Sequence, residues 1–73
     1  SERTRVLFVG EVGFRKGAHY LIEAARHVEQ EFEFRLCGGI ALPAIITENL
    51  PANVTLKGIV PRAEINEQYA RAD

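Results

Sequence analysis

The sequence predicts an α/β fold, a three-stranded parallel sheet with alternating helices, and three observations support it. Short runs rich in apolar residues stop at glycines, Gly10, Gly38 and Gly58. Between them lie segments whose apolar residues recur at spacings of three and four. The intervening loops are only a few residues long, and a β-α-β-α-β-α alternation joined this way implies parallel strands with right-handed crossovers.

Each element has its own warrant. Arg5 to Val9 reads RVLFV and ends at Gly10, which suits a first strand buried on both faces. From Gly17 to about Glu31, Ala18, Leu21, Ile22, Ala25 and Val28 form an apolar stripe opposite Glu23, Arg26, His27 and Gln30, predicting a helix. Phe34 to Cys37 is a second strand, and Gly38-Gly39 permits a tight turn after it. Ala41 to Asn49 places Leu42, Ile45 and Ile46 at helical spacing, with Pro43 tolerable in a first turn and Pro51 as the stop. Val54 to Lys57 alternates apolar and polar before Gly58, the pattern of a third strand at an edge. Beyond Pro61, Ile65, Tyr69 and Ala72 predict a last helix with Tyr69 on its core face.

Composition narrows the function. With 73 residues, 47% of them hydrophobic and 26% charged, the chain suits one small globular domain with a packed core. Nine basic and ten acidic residues give a net charge of −1, without the cationic excess that nucleic acid binding requires. No apolar run approaches the roughly 20 residues of a membrane span, and the N-terminus has no apolar signal core, so the expected location is cytoplasmic. Cys37 is the only cysteine, which excludes an internal disulfide and a structural zinc site; it reads as a small buried hydrophobe. His19 and His27 have no triad partner set by sequence and read as surface residues of the first helix. Asn53-Val54-Thr55 matches a glycosylation acceptor, read as a chance match in a chain with no secretory signal.

The segment GEVGFRKG, Gly10 to Gly17, joins the first strand to the first helix and is the best site candidate. In open α/β sheets ligands bind at the carboxyl ends of the strands, where helix N-termini offer unpaired N–H groups and partial positive charge. Arg15 and Lys16 add two cations, so the expected ligand is an anion such as phosphate. The plainer reading makes Arg15 and Lys16 solvated and the glycines turn-formers. The dinucleotide fingerprint and the P-loop both fail on spacing: Val12 and Arg15 stand where the first needs Gly, and Arg15 stands at the second glycine of the other.

Taken in order, FVG-x4-RKG-x2-YLIEA, FRLCGG and NVTLKGIVPRAEINEQYARAD resemble the opening of the C-terminal domain in the group 1 (family 4) retaining glycosyltransferases of the B-type fold. The resemblance spans nearly the whole chain. It implies strand order 3-2-1, with residues 1–73 the first half of a Rossmann-like nucleotide-sugar-binding domain. It implies further that the parent transfers a sugar from a nucleotide diphosphate sugar with retention, uses no separate cofactor or metal, and binds the donor diphosphate through the lysine matching Lys16.

Family members commonly carry an arginine after the glycine that ends the first strand, whereas this chain has Glu11. Either Glu11 points away, or Arg15 supplies the missing cation, or donor recognition differs. The loop Gly58 to Arg62 matches a stretch that lies near the nucleotide base in the family; Gly58 and Pro61 also serve simply to leave a strand and start a helix. The expected donor contacts are therefore Gly10, Arg15, Lys16, Gly17 and Gly58. No catalytic residue is expected, since the acceptor domain and the family's later Glu-containing motif have no counterpart here. The isolated chain is expected to be inactive and to bind nucleotide sugar weakly or not at all. A homodimer is expected through the first strand, with Val6, Leu7, Phe8 and Val9 left unpaired on one side. The alternative is a stand-alone flavodoxin-like regulatory or binding module, disfavoured because no acidic residue follows the second or third strand.

Overall fold

The computed structural model describes residues 3–73. Its elements run β1 Thr4–Val9, β2 Val12–Gly13, α1 Ala18–Ala25, β3 Phe32–Cys37, β4 Ile40–Ala41, α2 Ala44–Thr47, β5 Val54–Gly58 and α3 Arg62–Arg71. The main sheet is parallel throughout, in the order β1-β3-β5. The expected α/β class and the 3-2-1 order of the three long strands both hold. Register sets Val6 beside Phe34 and Phe34 beside Val54, so the apolar residues of three strands share one face.

On that face Phe34, Leu36 and Val54 pack with Ala18, Ile22 and Ala25 of α1 and with Val12; Val6, Phe8, Leu21 and Leu56 surround them, half-buried. Ala18 and Ala25, both 0% exposed, bring the helix backbone close to the sheet, a distance that larger side chains would prevent. The opposite face carries Arg5, Leu7, Glu33 and Arg35, where Glu33 pairs with Arg3 at 3.2 Å and with Arg35 at 3.8 Å. There α3 lies against β1, with Gln68 and Ala72 facing Arg5, Leu7 and Arg35.

Several expected boundaries shift. The helix expected over residues 17–31 ends at Ala25, with Arg26 and His27 in a tightened turn, and the Ala25 carbonyl there accepts both Val28 N–H at 3.1 Å and Asn53 Nδ2–H at 3.0 Å. The same amide donates to Phe32 C=O at 2.9 Å, so one buried side chain, 3% exposed, ties the helix end to the start of β3. Strand β3 accordingly begins at Phe32, two residues earlier than expected. The acceptor motif at Asn53 is thereby accounted for as structure.

The second helix was expected over 41–49 and is a single turn, Ala44–Thr47. Ile40 and Ala41 instead form β4, pairing in parallel with Val12 and Gly13 of β2, two short strands that periodicity did not reveal. Strand β1, expected to be buried on both faces, is half-buried and exposed at Thr4 and Val9, because among the described residues it pairs with β3 alone. Tyr69 is 57% exposed and Gln68 is buried: α3 turns its 65-68-72 stripe to the sheet, one residue off the expected 65-69-72. Cys37 is buried, as expected.

Candidate functional site

Parallel pairing gathers the loops after β1, β3 and β5 at one end of the sheet, where backbone hydrogen bonds lace them together. Gly10 N–H donates to Cys37 C=O at 2.9 Å, Val12 N–H to Gly39 C=O at 2.8 Å, and Gly38 N–H to Gly58 C=O at 2.7 Å. The register shift between Leu36 and Cys37 brings Cys37 opposite Gly58 and makes the last of these possible. At Gly38 the approach is so close that a Cβ would stand 1.8 Å from the Gly10 carbonyl oxygen, so only glycine fits. Gly10 and Gly58 are thus drawn together, with Gly38 between them. The sequence marks Gly38 as a turn former; its role as a spacer depends on contacts 28 residues away, which no local signal encodes.

The start of α1 is a separate corner of the same end. Phe14 to Gly17 form a turn closed by Gly17 N–H to Phe14 C=O at 3.0 Å. Gly17 is the N-cap at φ 73°, a left-handed conformation that a side chain would strain, and its carbonyl accepts the Tyr20 and Leu21 N–H groups. No side chain caps this terminus. The His19 ring lies 4.7 Å from Phe14 in an edge contact and 4.0 Å from Tyr20, which fastens the turn to the helix. His19 is therefore half-buried, correcting the surface reading, whereas His27 is exposed.

Arg15 and Lys16 are exposed on that turn, and neither makes an ion pair or side-chain hydrogen bond among the described residues. Glu11 is also exposed; its carboxylate lies near Gly13, with Oε1 3.8 Å from where a Cβ there would stand, and it pairs with neither cation. The cations are free for an external anion.

An open cleft of about 590 Å³ is lined by Val9, Val60, Arg62, Ile65 and Asn66, with Gly58 two residues before Val60 and not itself in the lining. It lies between the carboxyl end of β1 and the first turns of α3, the helix on the opposite face from α1. Open α/β sheets place ligands outside the carboxyl ends of their strands. The walls are apolar, and Arg62 and Asn66 supply donors and an acceptor at the rim. Val9 and Ile65 were expected as a strand-edge and a helix-face residue and not as cleft walls, and Asn66 was given no role; the available signal was that a strand end and a helix start meet at such a crevice. Arg15 and Lys16 are not among the cleft's lining residues. Among the described residues no cluster of His, Cys, Asp or Glu could hold a metal, and no helix is long and apolar enough to cross a membrane.

This arrangement defines an open parallel α/β unit, half of a Rossmann-like fold, with loops converging at the strand ends. The chain belongs to a family within that class: the model for glycosyl transferases group 1 matches residues 3–73. No curated protein and no solved structure gives a significant match.

Proposed function

We propose that this chain is the diphosphate- and base-binding portion of a retaining glycosyltransferase of the B-type fold, the first half of its C-terminal domain. One observation supports this most: two free cations, Arg15 and Lys16, stand on an uncapped helix N-terminus. There, charge-assisted hydrogen bonds and the helix dipole act together on an anion. In this reading Lys16 binds the donor diphosphate, with Arg15 offering a second positive charge in place of the arginine whose position Glu11 occupies. Gly10 and Gly17 let the backbone approach, and the open cleft receives the base between Val9 and Val60. A sugar would pass from its nucleotide diphosphate to an acceptor held by a separate domain, in the cytoplasm.

In this reading none of the described residues acts on the anomeric carbon, so the isolated chain is inactive. Incubation with a panel of nucleotide sugars and acceptors, read by mass spectrometry, tests that: transfer, or donor hydrolysis above background, refutes it. Calorimetric titration with nucleoside diphosphates tests the binding role, and lack of affinity in a protein containing the complete second half would refute it. We also propose that copies of this chain associate through β1. Alternate residues of a parallel strand turn their N–H and C=O groups to opposite sides, and Gly10 and Thr4 donate toward the β3 side. Leu7 and Val9, not Val6 and Phe8, therefore present the open edge.

A further inference from the structure

The contact between β1 and α3 differs from the rest of the packing. Helix α1 rests on three buried apolar residues, whereas the only buried residue of α3 is Gln68, 7% exposed. A buried carboxamide requires partners, because an unsatisfied polar atom costs its full desolvation. Yet Gln68 Oε1 accepts no hydrogen bond from the protein, and Arg5 Nε, across the same interface, donates none. Arg5 Nε stands 3.5 Å from Asp73 Oδ2, an ion-pair distance, and that oxygen already accepts the Arg5 backbone N–H at 2.6 Å.

Arg5 and Gln68 both line one small void, partly open, of about 10 Å³, bounded also by Val6, Leu7, Arg35 and Ala72. That is about the probe-occupied space one water molecule needs. A chloride has no proton to donate to Gln68 Oε1. A cation is repelled by the guanidinium groups of Arg5 and Arg35 on the same walls. Water alone has both the required size and both hydrogen-bonding senses, since it can accept from Arg5 Nε–H and donate to Gln68 Oε1 at once.

We propose that the void between β1 and α3 is an internal water site, and that the water bridging Arg5 Nε and Gln68 Oε1 is what seats α3 on the sheet. The bridge resolves both orphaned atoms without moving the backbone. It also positions the cleft, because Arg62, Ile65 and Asn66 of its wall lie on the same helix as Gln68. The inference rests on packing alone and stands whether or not the cleft binds a nucleotide.

Water-oxygen-17 relaxation dispersion on the 73-residue chain counts long-lived internal waters. Gln68→Met keeps the side-chain length and removes the acceptor, so the wild type should hold one more such water than the variant. Equal counts overturn the proposal. A high-resolution crystal structure of the wild type gives a test that needs no variant: the expected result is one water peak within hydrogen-bonding distance of both Arg5 Nε and Gln68 Oε1. A structure in which the two side chains bond directly, or in which the void contains no density, overturns it equally.

Discussion

Asp73 closes onto Arg5 at two points: its carboxylate Oδ2 accepts the Arg5 backbone N–H at 2.6 Å, and its own N–H donates to the Arg5 carbonyl at 2.9 Å. Asp73, two residues beyond the end of α3, thus occupies the open edge of β1 at its first outward-facing position and leaves Leu7 and Val9 beyond it.

That contact predicts a pH dependence. The hydrogen bond from the Arg5 backbone, aided by the nearby guanidinium, holds the Asp73 carboxyl below its ordinary value of 3.8. A carboxylate with a lower pKa when folded stabilises the fold in full above its ordinary value, and the contribution is lost as pH falls through the lowered one. Asp73→Ala should therefore lower the urea midpoint near neutrality, and the gap from wild type should close in acid. A gap independent of pH would show that the carboxylate's charge has no part in the contact.

Gly38→Ala should be severely destabilising. Its Cβ would stand 1.8 Å from the Gly10 oxygen, which is backbone and cannot rotate away, and φ 146° adds strain. Overpacking of this kind costs about 3 kcal/mol. Gly39→Ala, where the added carbon meets nothing within 4 Å, is the control and should be far milder. Denaturant unfolding of the pair checks this; equal losses contradict it.

Asn53→Ala removes two hydrogen bonds from a buried amide and leaves the Ala25 and Phe32 carbonyls without that donor. The expected loss is about 2 kcal/mol. Hydrogen exchange should accelerate most at the end of α1 and the start of β3, and uniform acceleration would contradict the tie. Because the amide nitrogen is buried and engaged, the folded chain should also resist glycosylation at Asn53.

In a protein containing the complete donor site, Lys16→Ala should weaken nucleoside diphosphate binding by about 1.5–3 kcal/mol, the worth of a hydrogen bond to a charged group. Glu11→Ala should not weaken it, since the carboxylate sits near Gly13 and can only repel a diphosphate. Unchanged affinity for Lys16→Ala, measured by calorimetry, would remove Lys16 from the site.

Self-association should follow the outward residues of β1. Val9 is 46% exposed, so Val9→Lys places a charge on the open edge without disturbing the core. Light scattering across a concentration series should show dimers for the wild type and monomers for the variant. A wild type that stays monomeric at every concentration rules the dimer out.

What local chemistry could dictate, the sequence determined by itself. Apolar runs ending at Gly10, Gly38 and Gly58 were enough for three parallel strands, their order following from the family resemblance, and the spacing of Ala18, Ile22 and Ala25 was enough for the buried face of α1. Arg15, Lys16 and Gly17 were legible as two cations at a helix start because strand, glycine turn and helix start are adjacent in the chain. What only the tertiary structure decided depended on distant partners. The tie between the end of α1 and the start of β3 is set by Asn53, the pairing of β2 with β4 by the convergence of two loops, and the need for glycine at position 38 by the Gly10 carbonyl. The choice of Gln68 over Tyr69 as the residue α3 buries belongs with these. Periodicity ranks apolar residues first, but the face of β1 that receives this helix carries Arg5 and is flanked by Arg35, and beside two guanidinium groups a carboxamide is the better fit.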